Sequence, residues 1–146
     1  IINVEKAMMN SEIGFGRKLL QALEEQGISF EHMPSGIDTM CVVVHEDAIV
    51  GKKEKLMQRI HELCAPDSVE IHSGLALIAT VGRGMVRSKG ISARLFNALM
   101  KAGINVRLID QGSSELNIIV GVDNLDFENA VRAIYRAFVV KENNRW

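Results

Sequence analysis

Apolar residues recur along the chain at two different spacings, one typical of helices and one typical of strands. Steps of four put Phe15, Leu19 and Leu23 on one face of a helix, which Gly27 ends. The nearly continuous apolar run 40–45 predicts a strand buried inside a sheet. The rest of this half predicts strands at 1–8, 28–33 and 69–72 and a second helix with the apolar stripe Leu56, Ile60 and Leu63.

The second half of the chain repeats this order of elements. It predicts a strand at 75–81, a helix striped by Ile91, Leu95 and Leu99, strands at 104–110 and 116–122, and a last helix striped by Phe127, Val131, Ile134 and Phe138. An offset of 76 residues lays 98–104 over 22–28, and it also lays 118–120 over 42–44 without a gap. The chain is therefore an internal repeat.

Each copy reads β-α-β-β-α, with a fourth strand that is clear only in the first. This predicts an α+β fold of two tandem ferredoxin-like βαββαβ domains, 1–74 and 75–146, each an antiparallel sheet with helices on one face. So small a module would be marginal alone. The strand 40–44 carries no charge and would pair with another strand if it lay at a sheet edge. We therefore expect a homodimer.

Composition excludes several classes of protein. The net charge of −1 does not indicate the excess of Lys and Arg with which proteins bind nucleic acid. Two cysteines are too few for a secreted disulfide framework, so we expect a reducing, cytoplasmic location. No apolar run approaches the roughly 18–20 residues that span a membrane. The first residues do not form a signal peptide and resemble a strand caught partway, so we expect a piece of a longer protein.

Catalytic chemistry is not indicated by any motif. The histidines (His32, His45, His61 and His72) have no metal-binding spacing, so structural or surface roles are favoured and no metal is expected. The glycine pairs 14/16 and 82/84 lack the third glycine of a dinucleotide fingerprint. The basic residues Arg83, Arg87, Lys89 and Arg94 indicate a solvated surface or a domain contact more than an anion site.

A small-molecule cleft is better supported at the start of the first helix. Free backbone amides at 11–16 suit a carboxylate, and Glu31 or Asp38 could hold an ammonium group. An amino acid carries both groups. A simpler interpretation stays open, in which Glu12 favours the helix start, Glu31 is solvated and Asp38 forms the turn.

Two stretches carry a family resemblance: MNSEIGFGRKLLQALEEQGISFEHMPSGIDTM at 9–40 and GISARLFNALMKAGINVRLIDQGSSELNIIVGVDN at 90–124. They strongly resemble the carboxy-terminal regulatory region of aspartokinases, two tandem ACT domains, and most of all its lysine-sensitive type. The resemblance implies a parent enzyme that phosphorylates aspartate with ATP and Mg, the first step towards lysine, threonine and methionine. It also implies an amino-terminal kinase domain, which nothing in this chain resembles, and no cofactor in this segment.

The same resemblance implies that L-lysine binds the first ACT domain near a dimer interface and inhibits the kinase by feedback. The residues implied at that site are Met9, Glu12, Phe15, Gly16, Phe30, Glu31, Ser35 and Asp38. Arg107 stands at the repeat position of Glu31, which favours the first domain as the sensor. A purely structural dimerisation module is the alternative. An RNA-binding domain is disfavoured, because strands 40–44 and 116–120 lack stacking aromatics.

Overall fold

The computed structural model describes residues 1–139, and the chain divides into two compact units between Ser73 and Gly74. The sequence pattern places that boundary one residue later, between 74 and 75. The end of the chain, where no clear fourth strand is predicted for the second copy, lies outside the described residues. Among residues 1–139, no helix has the length and apolar character needed to cross a membrane.

The first unit contains β1 (Ile2–Glu5), α1 (Phe15–Glu24), β2 (Thr39–Val42), α2 (Lys53–Cys64) and β3 (Ser68–Ile71). Its sheet has the order β2-β1-β3, and both pairs are antiparallel. Alternation along β1 buries Ile2 and Val4, while Asn3 and Glu5 lie on the opposite face. The buried residues of both helices pack with Ile2 and Val4 in one core, so the helices cover one face of the sheet.

The second unit contains β4 (Leu75–Val81), α3 (Ile91–Lys101), β5 (Val106–Asp110), β6 (Asn117–Asp123) and α4 (Phe127–Val139). Its antiparallel sheet has the order β4-β6-β5, with an irregularity between Val106 and Leu108. The fully buried Leu95 and Leu99 of α3 pack on Ile118 and Val120 of β6 in a core of their own.

The repeat seen in the sequence is also a repeat of structure. Leu23 and Leu99, which are 76 residues apart, are both fully buried. Gly14 and Gly90 both precede a helix with φ of +83° and +84°, a backbone conformation that glycine adopts without strain. The predicted ferredoxin-like α+β fold is therefore confirmed.

Two predicted strands are shorter or less regular than expected. The predicted strand 28–33 is wrong as a continuous element, because within residues 1–139 its one bridge is the isolated pair His32–Val43. Pro34, which has no N–H to donate, lies between this bridge and a second isolated bridge, Ser35–Met40. The predicted strand 1–8 ends at Glu5, and a short 3-10 turn follows from residue 9.

The predicted stripe of the last helix is right at one end and wrong at the other. Ile134 is buried and Phe138 packs on the core, but Phe127 and Val131 keep 41% and 40% of their surface exposed. Ala130, which the stripe omitted, is buried instead. Helix α4 thus turns a different face to the sheet and leaves an apolar flank uncovered.

Candidate functional site

Hydrogen bonds join the loop before α1 to the turn before β2. The Asp38 carboxylate accepts from the Met8 N–H at 2.8 Å, and the Asp38 carbonyl accepts from the Lys6 N–H at 2.9 Å. The Asn10 N–H donates to the Ile37 carbonyl at 3.1 Å. The two stretches that the sequence marked as a ligand site are therefore neighbours, and the carboxylate of Asp38 already has a partner within the chain.

The Glu12 carboxylate is held by two ammonium groups of the same unit. Its oxygens lie 2.5 Å from Lys6 Nζ and 2.6 Å from Lys18 Nζ. Hydrogen bonds from Lys18 and then Lys6 lower the pKa of Glu12. Lys6 Nζ also donates to the Cys64 carbonyl at 2.7 Å and lies 5.7 Å from the centre of the Phe15 ring. The loop before α1 is thus held in place by ion pairs between Glu12 and two lysines of the same unit.

Helix α1 begins with two N–H groups for which the described part of the chain offers no backbone acceptor. The Phe15 N–H donates to the Glu12 carbonyl at 3.3 Å, and the Lys18 N–H donates to the Gly14 carbonyl at 3.1 Å. Between them, the N–H groups of Gly16 and Arg17 have no backbone acceptor among residues 1–139. Free amides at the positive end of a helix attract a carboxylate.

The other residues implied at the site divide between core and surface. Met9 and Phe15 are buried among the core residues, so they shape the loop from inside the unit. Phe30 is 45% exposed, and Ser35 bridges to Met40 beside β2. The structure thus places Phe30 where a ligand could reach it and Met9 and Phe15 where they support the loop.

Glu31 is the most available of the three implied carboxylates. Its backbone N–H donates to the Val43 carbonyl at 2.8 Å, which fixes its position beside β2. Its side chain is 49% exposed, and Oε1 lies 3.6 Å from Nε2 of the still more exposed His45. Glu31 therefore keeps room for a cationic ligand, in contrast to Glu12 and Asp38.

An open groove of about 830 Å³ runs along α1. Its lining residues are Gly16, Arg17, Leu20, Gln21, Glu24, Glu25 and Met33. Gly16 is common to this lining and to the implied site, whereas Arg17, Leu20 and Met33 were not singled out from the sequence. The recurrence of Gly16, Leu20 and Glu24 at steps of four is the signal that could have found this face.

The second unit has a pocket of about 490 Å³ at the repeat position of the loop before α1, lined by residues of the loop before α3, the first turn of α3 and the turn 111–115. Arg87 and Lys89 of the basic cluster line it, together with Ser88, the repeat counterpart of Glu12. The Arg87 N–H donates to the Glu115 carboxylate at 2.7 Å. Arg94 lies elsewhere, 5.4 Å from the centre of the Phe138 ring.

Other reactive groups are held in unreactive settings. Burial raises the pKa of the Cys41 and Cys64 thiols, which disfavours the nucleophilic thiolate at neutral pH. In residues 1–139 no group of three or more His, Cys, Asp or Glu side chains is placed to hold a metal ion. Around α1 the structure places an open groove, helix-start amides and the half-exposed carboxylate of Glu31.

Comparison with known proteins relates the chain to ACT domains and to aspartokinases. Residues 78–138 match the family model of the ACT domain. The second unit is thus similar to an ACT domain. It is 41% identical over 138 residues to aspartokinase 3 of Bacillus subtilis, covering 94% of this chain and 30% of that protein.

Solved structures resemble both ACT units together. Aspartate kinase from Clostridium acetobutylicum matches with a TM-score of 0.91 and 54% identity, over 94% of this chain and 32% of that one. The ligand-free regulatory subunit of aspartate kinase from Thermus thermophilus has the same fold, with a TM-score of 0.78 and 23% identity over 95% of this chain and 90% of that one. The chain thus spans about a third of the aspartokinases from Bacillus subtilis and Clostridium acetobutylicum, and it resembles a regulatory segment.

Proposed function

We propose that the chain is the regulatory, amino-acid-binding region of an aspartokinase and that it mediates feedback inhibition by lysine. The parent enzyme would phosphorylate L-aspartate to 4-phospho-L-aspartate in the cytoplasm with ATP and Mg. Its kinase domain would precede the ACT units, which would form a homodimer. The observation that carries this proposal is the 54% identity to an aspartate kinase over 94% of the chain.

Lysine fits the chemistry of the first unit. The α-carboxylate would accept from the Gly16 and Arg17 N–H groups, and the side-chain ammonium would bind Glu31. Charge-assisted hydrogen bonds of this kind contribute about 1.5–3 kcal/mol when desolvated, and less at a half-exposed group such as Glu31. Aspartokinase III of Escherichia coli, 23% identical with a TM-score of 0.72, was crystallised with lysine and aspartate. Arg107 at the repeat position of Glu31 would repel the ammonium, which favours the first unit.

Calorimetry with lysine, threonine and methionine tests the proposal. We expect lysine to bind. Glu31→Gln should lower the affinity for lysine roughly tenfold, because it removes one charge-assisted hydrogen bond. Glu24→Gln is the matched control, because it removes the same charge from the groove wall and should leave the affinity unchanged. If none of the three amino acids binds, the sensing role is lost. If Glu24→Gln has the larger effect, the ammonium site is misplaced.

A structural dimerisation module without an effector is the second candidate. The ion pairs of Glu12 with Lys6 and Lys18 favour it, because they close the helix-start loop without a ligand. This candidate predicts a stable dimer by analytical ultracentrifugation whose melting temperature does not depend on lysine. A bound effector would raise that temperature with concentration.

A further inference from the structure

The groove between the two helices carries opposite charges in the two units. In the first unit, Arg59 lies between two acids, donating from Nε to Glu25 at 2.6 Å and from Nη1 to Glu62 at 2.9 Å. In the second unit, the groove between α3 and α4 has a volume of about 440 Å³, and each charged residue that lines it is basic. We propose that this groove binds a phosphate group, either as free phosphate or on a small phosphorylated molecule. Such a site would not depend on the lysine site proposed for the first unit.

The residues that line the two grooves occupy matching positions on the first helix of each unit. Glu25 and Gln26 line the groove of the first unit, and Lys101 and Ala102 line that of the second. Each of these two pairs of positions is 76 residues apart, which is the offset of the repeat. The acid at the end of α1 is therefore a lysine at the end of α3.

The second helix of each unit shows the same reversal of charge. Ile60 of α2 and Ile134 of α4 both lie in the core of their unit. The sequence around Ile60 is RIHE at 59–62, and the sequence around Ile134 is AIYR at 133–136. The guanidinium of Arg59, which bridges two acids, is thus replaced by the methyl group of an alanine, and the second of these acids is replaced by an arginine. The second unit therefore has basic groups on both sides of a position that has no bridging side chain.

The cations of this groove have no carboxylate partner in the described part of the chain. Lys101, Arg136 and Arg94 form no ion pair there. Helix α3 contains no Asp or Glu, and the one acid of α4, Glu128, pairs with Arg132 at 3.4 Å. Positive charges that lie together repel one another, and an anion between them lowers the electrostatic energy.

The spacing and the size of the groove suit a phosphate group. In the first unit a single guanidinium contacts both acids, so the matching positions in the second unit lie close enough for one small ion to contact both Lys101 and Arg136. The guanidinium of an arginine binds two phosphate oxygens side by side, and an ammonium group binds a third as a point charge. The rest of the groove is bordered by small side chains: Ala98, Ala102, Ala133 and Ala137. The groove therefore has room for a phosphate and for a short organic chain attached to it.

An NMR titration of the 146-residue chain tests the site. The two probes are inorganic phosphate and glycerol 3-phosphate, each added at constant ionic strength with sodium chloride as the balancing salt. We expect both probes to shift the amide resonances of α3 and α4 beside the groove and to saturate at roughly millimolar concentration, since the charged groups are exposed. Tighter binding of glycerol 3-phosphate would assign the site to phosphorylated molecules, and equal binding would assign it to free phosphate. A higher ionic strength should weaken the binding of both probes.

Charge removal inside and outside the groove shows whether its lining carries the binding. Lys101→Gln and Arg136→Gln should each raise the dissociation constant roughly fivefold, because each removes one charged contact. Arg132→Gln is the matched control, because it removes the same charge from α4 at a position that does not line the groove. Its dissociation constant should remain that of the unchanged protein.

A carboxylate placed inside the groove should take the place of the phosphate. Ala133→Glu puts an acid at the position that corresponds to Arg59, between Lys101 and Arg136. It should abolish phosphate binding and raise the melting temperature of the second unit by about 2–4 °C through the new ion pairs. Ala133→Gln adds a side chain of the same size without the charge, so it should keep both phosphate binding and the original melting temperature. Circular dichroism establishes that each variant is folded.

Phosphate binding in the groove would be disproved by shifts that rise linearly without saturation, or by an equal loss of affinity in Arg132→Gln. It would also be disproved if Ala133→Glu bound phosphate as tightly as Ala133→Gln does. Saturation by an acidic peptide, with none by either phosphate probe, would assign the groove instead to an acidic segment of a protein partner.

Discussion

The two units share the same order of helices and strands, but they differ in the polar contacts of their loops and in their sheets. In both, a carboxylate from the turn between the second and third strand positions accepts an N–H from the loop before the helix: Asp38 from Met8, and Glu115 from Arg87. At the repeat positions 12 and 88 the two units differ. Glu12 is held by two lysines, whereas its counterpart Ser88 donates to the Gly84 carbonyl at 2.5 Å.

The two units also differ in their sheets and in the ion pairs between their helices. The first unit completes its sheet with β3, and Arg59 on its outer helix pairs with Glu25 and Glu62. The second unit leaves the edge of β4 open within residues 1–139. Matching apolar positions therefore build matching cores, while the polar contacts of the loops and, within residues 1–139, the pairing at the sheet edge differ between the units.

The largest expected effect comes from substitutions in the two cores, and it shows whether matching core positions contribute equally to stability. Leu23→Ala and Leu99→Ala each remove a fully buried side chain at matching repeat positions and should each lower the free energy of unfolding by about 2–5 kcal/mol. Hydrogen exchange under increasing urea should show the loss in the unit that carries the substitution. Equal loss in both units after a single substitution would mean that they unfold as one body.

Gly121, whose repeat position in the first unit is not a glycine, should make the second unit more sensitive to an added side chain. A Cβ at Gly121 would lie 2.9 Å from the Cβ of Leu108 and 3.1 Å from Leu75 Cδ2, so Gly121→Ala should cost about 1–3 kcal/mol in urea unfolding. Gly84→Ala is the control, because nothing lies within 4 Å of a Cβ there. The repeat position in the first unit is His45, which already has a side chain. Equal stability of the two variants would contradict the close approach.

The shared loop contact should give a smaller, matched effect. Asp38→Ala and Glu115→Ala each remove the acceptor of one loop N–H and should cost about 1 kcal/mol in thermal unfolding. Exchange of the Met8 amide should accelerate in the first variant, and that of Arg87 in the second. A much larger loss for Asp38→Ala would show that its contact does more than hold the loop.

The smallest effect is a pH dependence confined to the first unit. Hydrogen bonds from Arg59, then from Gln21, lower the pKa of Glu25 from 4.5 to about 2. Because folding depresses this pKa, the stabilisation is complete above 4.5 and is lost as the pH falls towards about 2. Urea midpoints of the first unit should fall across this window, and Glu25→Gln should reduce the fall. Lys101 stands at the repeat position, so the second unit should lack this contribution.

Much of the fold was predictable because its signals are local. Phe15, Leu19 and Leu23 share a helix face through their spacing alone. The repeat predicts that Leu99 is buried like Leu23, as the structure shows. The failures have tertiary causes. Pro34 breaks the ladder of a segment whose sequence is otherwise suited to a strand, and the packing of α4 on the sheet selects Ala130 over Val131.

The candidate site was predictable in outline for the same reason. The helix start at Gly14–Gly16 is a local feature, and its free amides follow from where the helix begins. The implied residues Met9, Phe15, Phe30 and Ser35 came from a family resemblance, and their degree of burial could not be obtained from spacing. Whether they line a bound lysine stays a prediction.

The sequence by itself determined the two repeated frames, because apolar periodicity and glycine positions specify helices, strands and turns within a few residues. Only the tertiary structure decided which acids are available. The loop before α1 folds so that Glu12 meets Lys6, and the fold brings Asp38 to the Met8 amide across 30 residues of chain. Such partners are set by packing of whole elements, which no local pattern encodes.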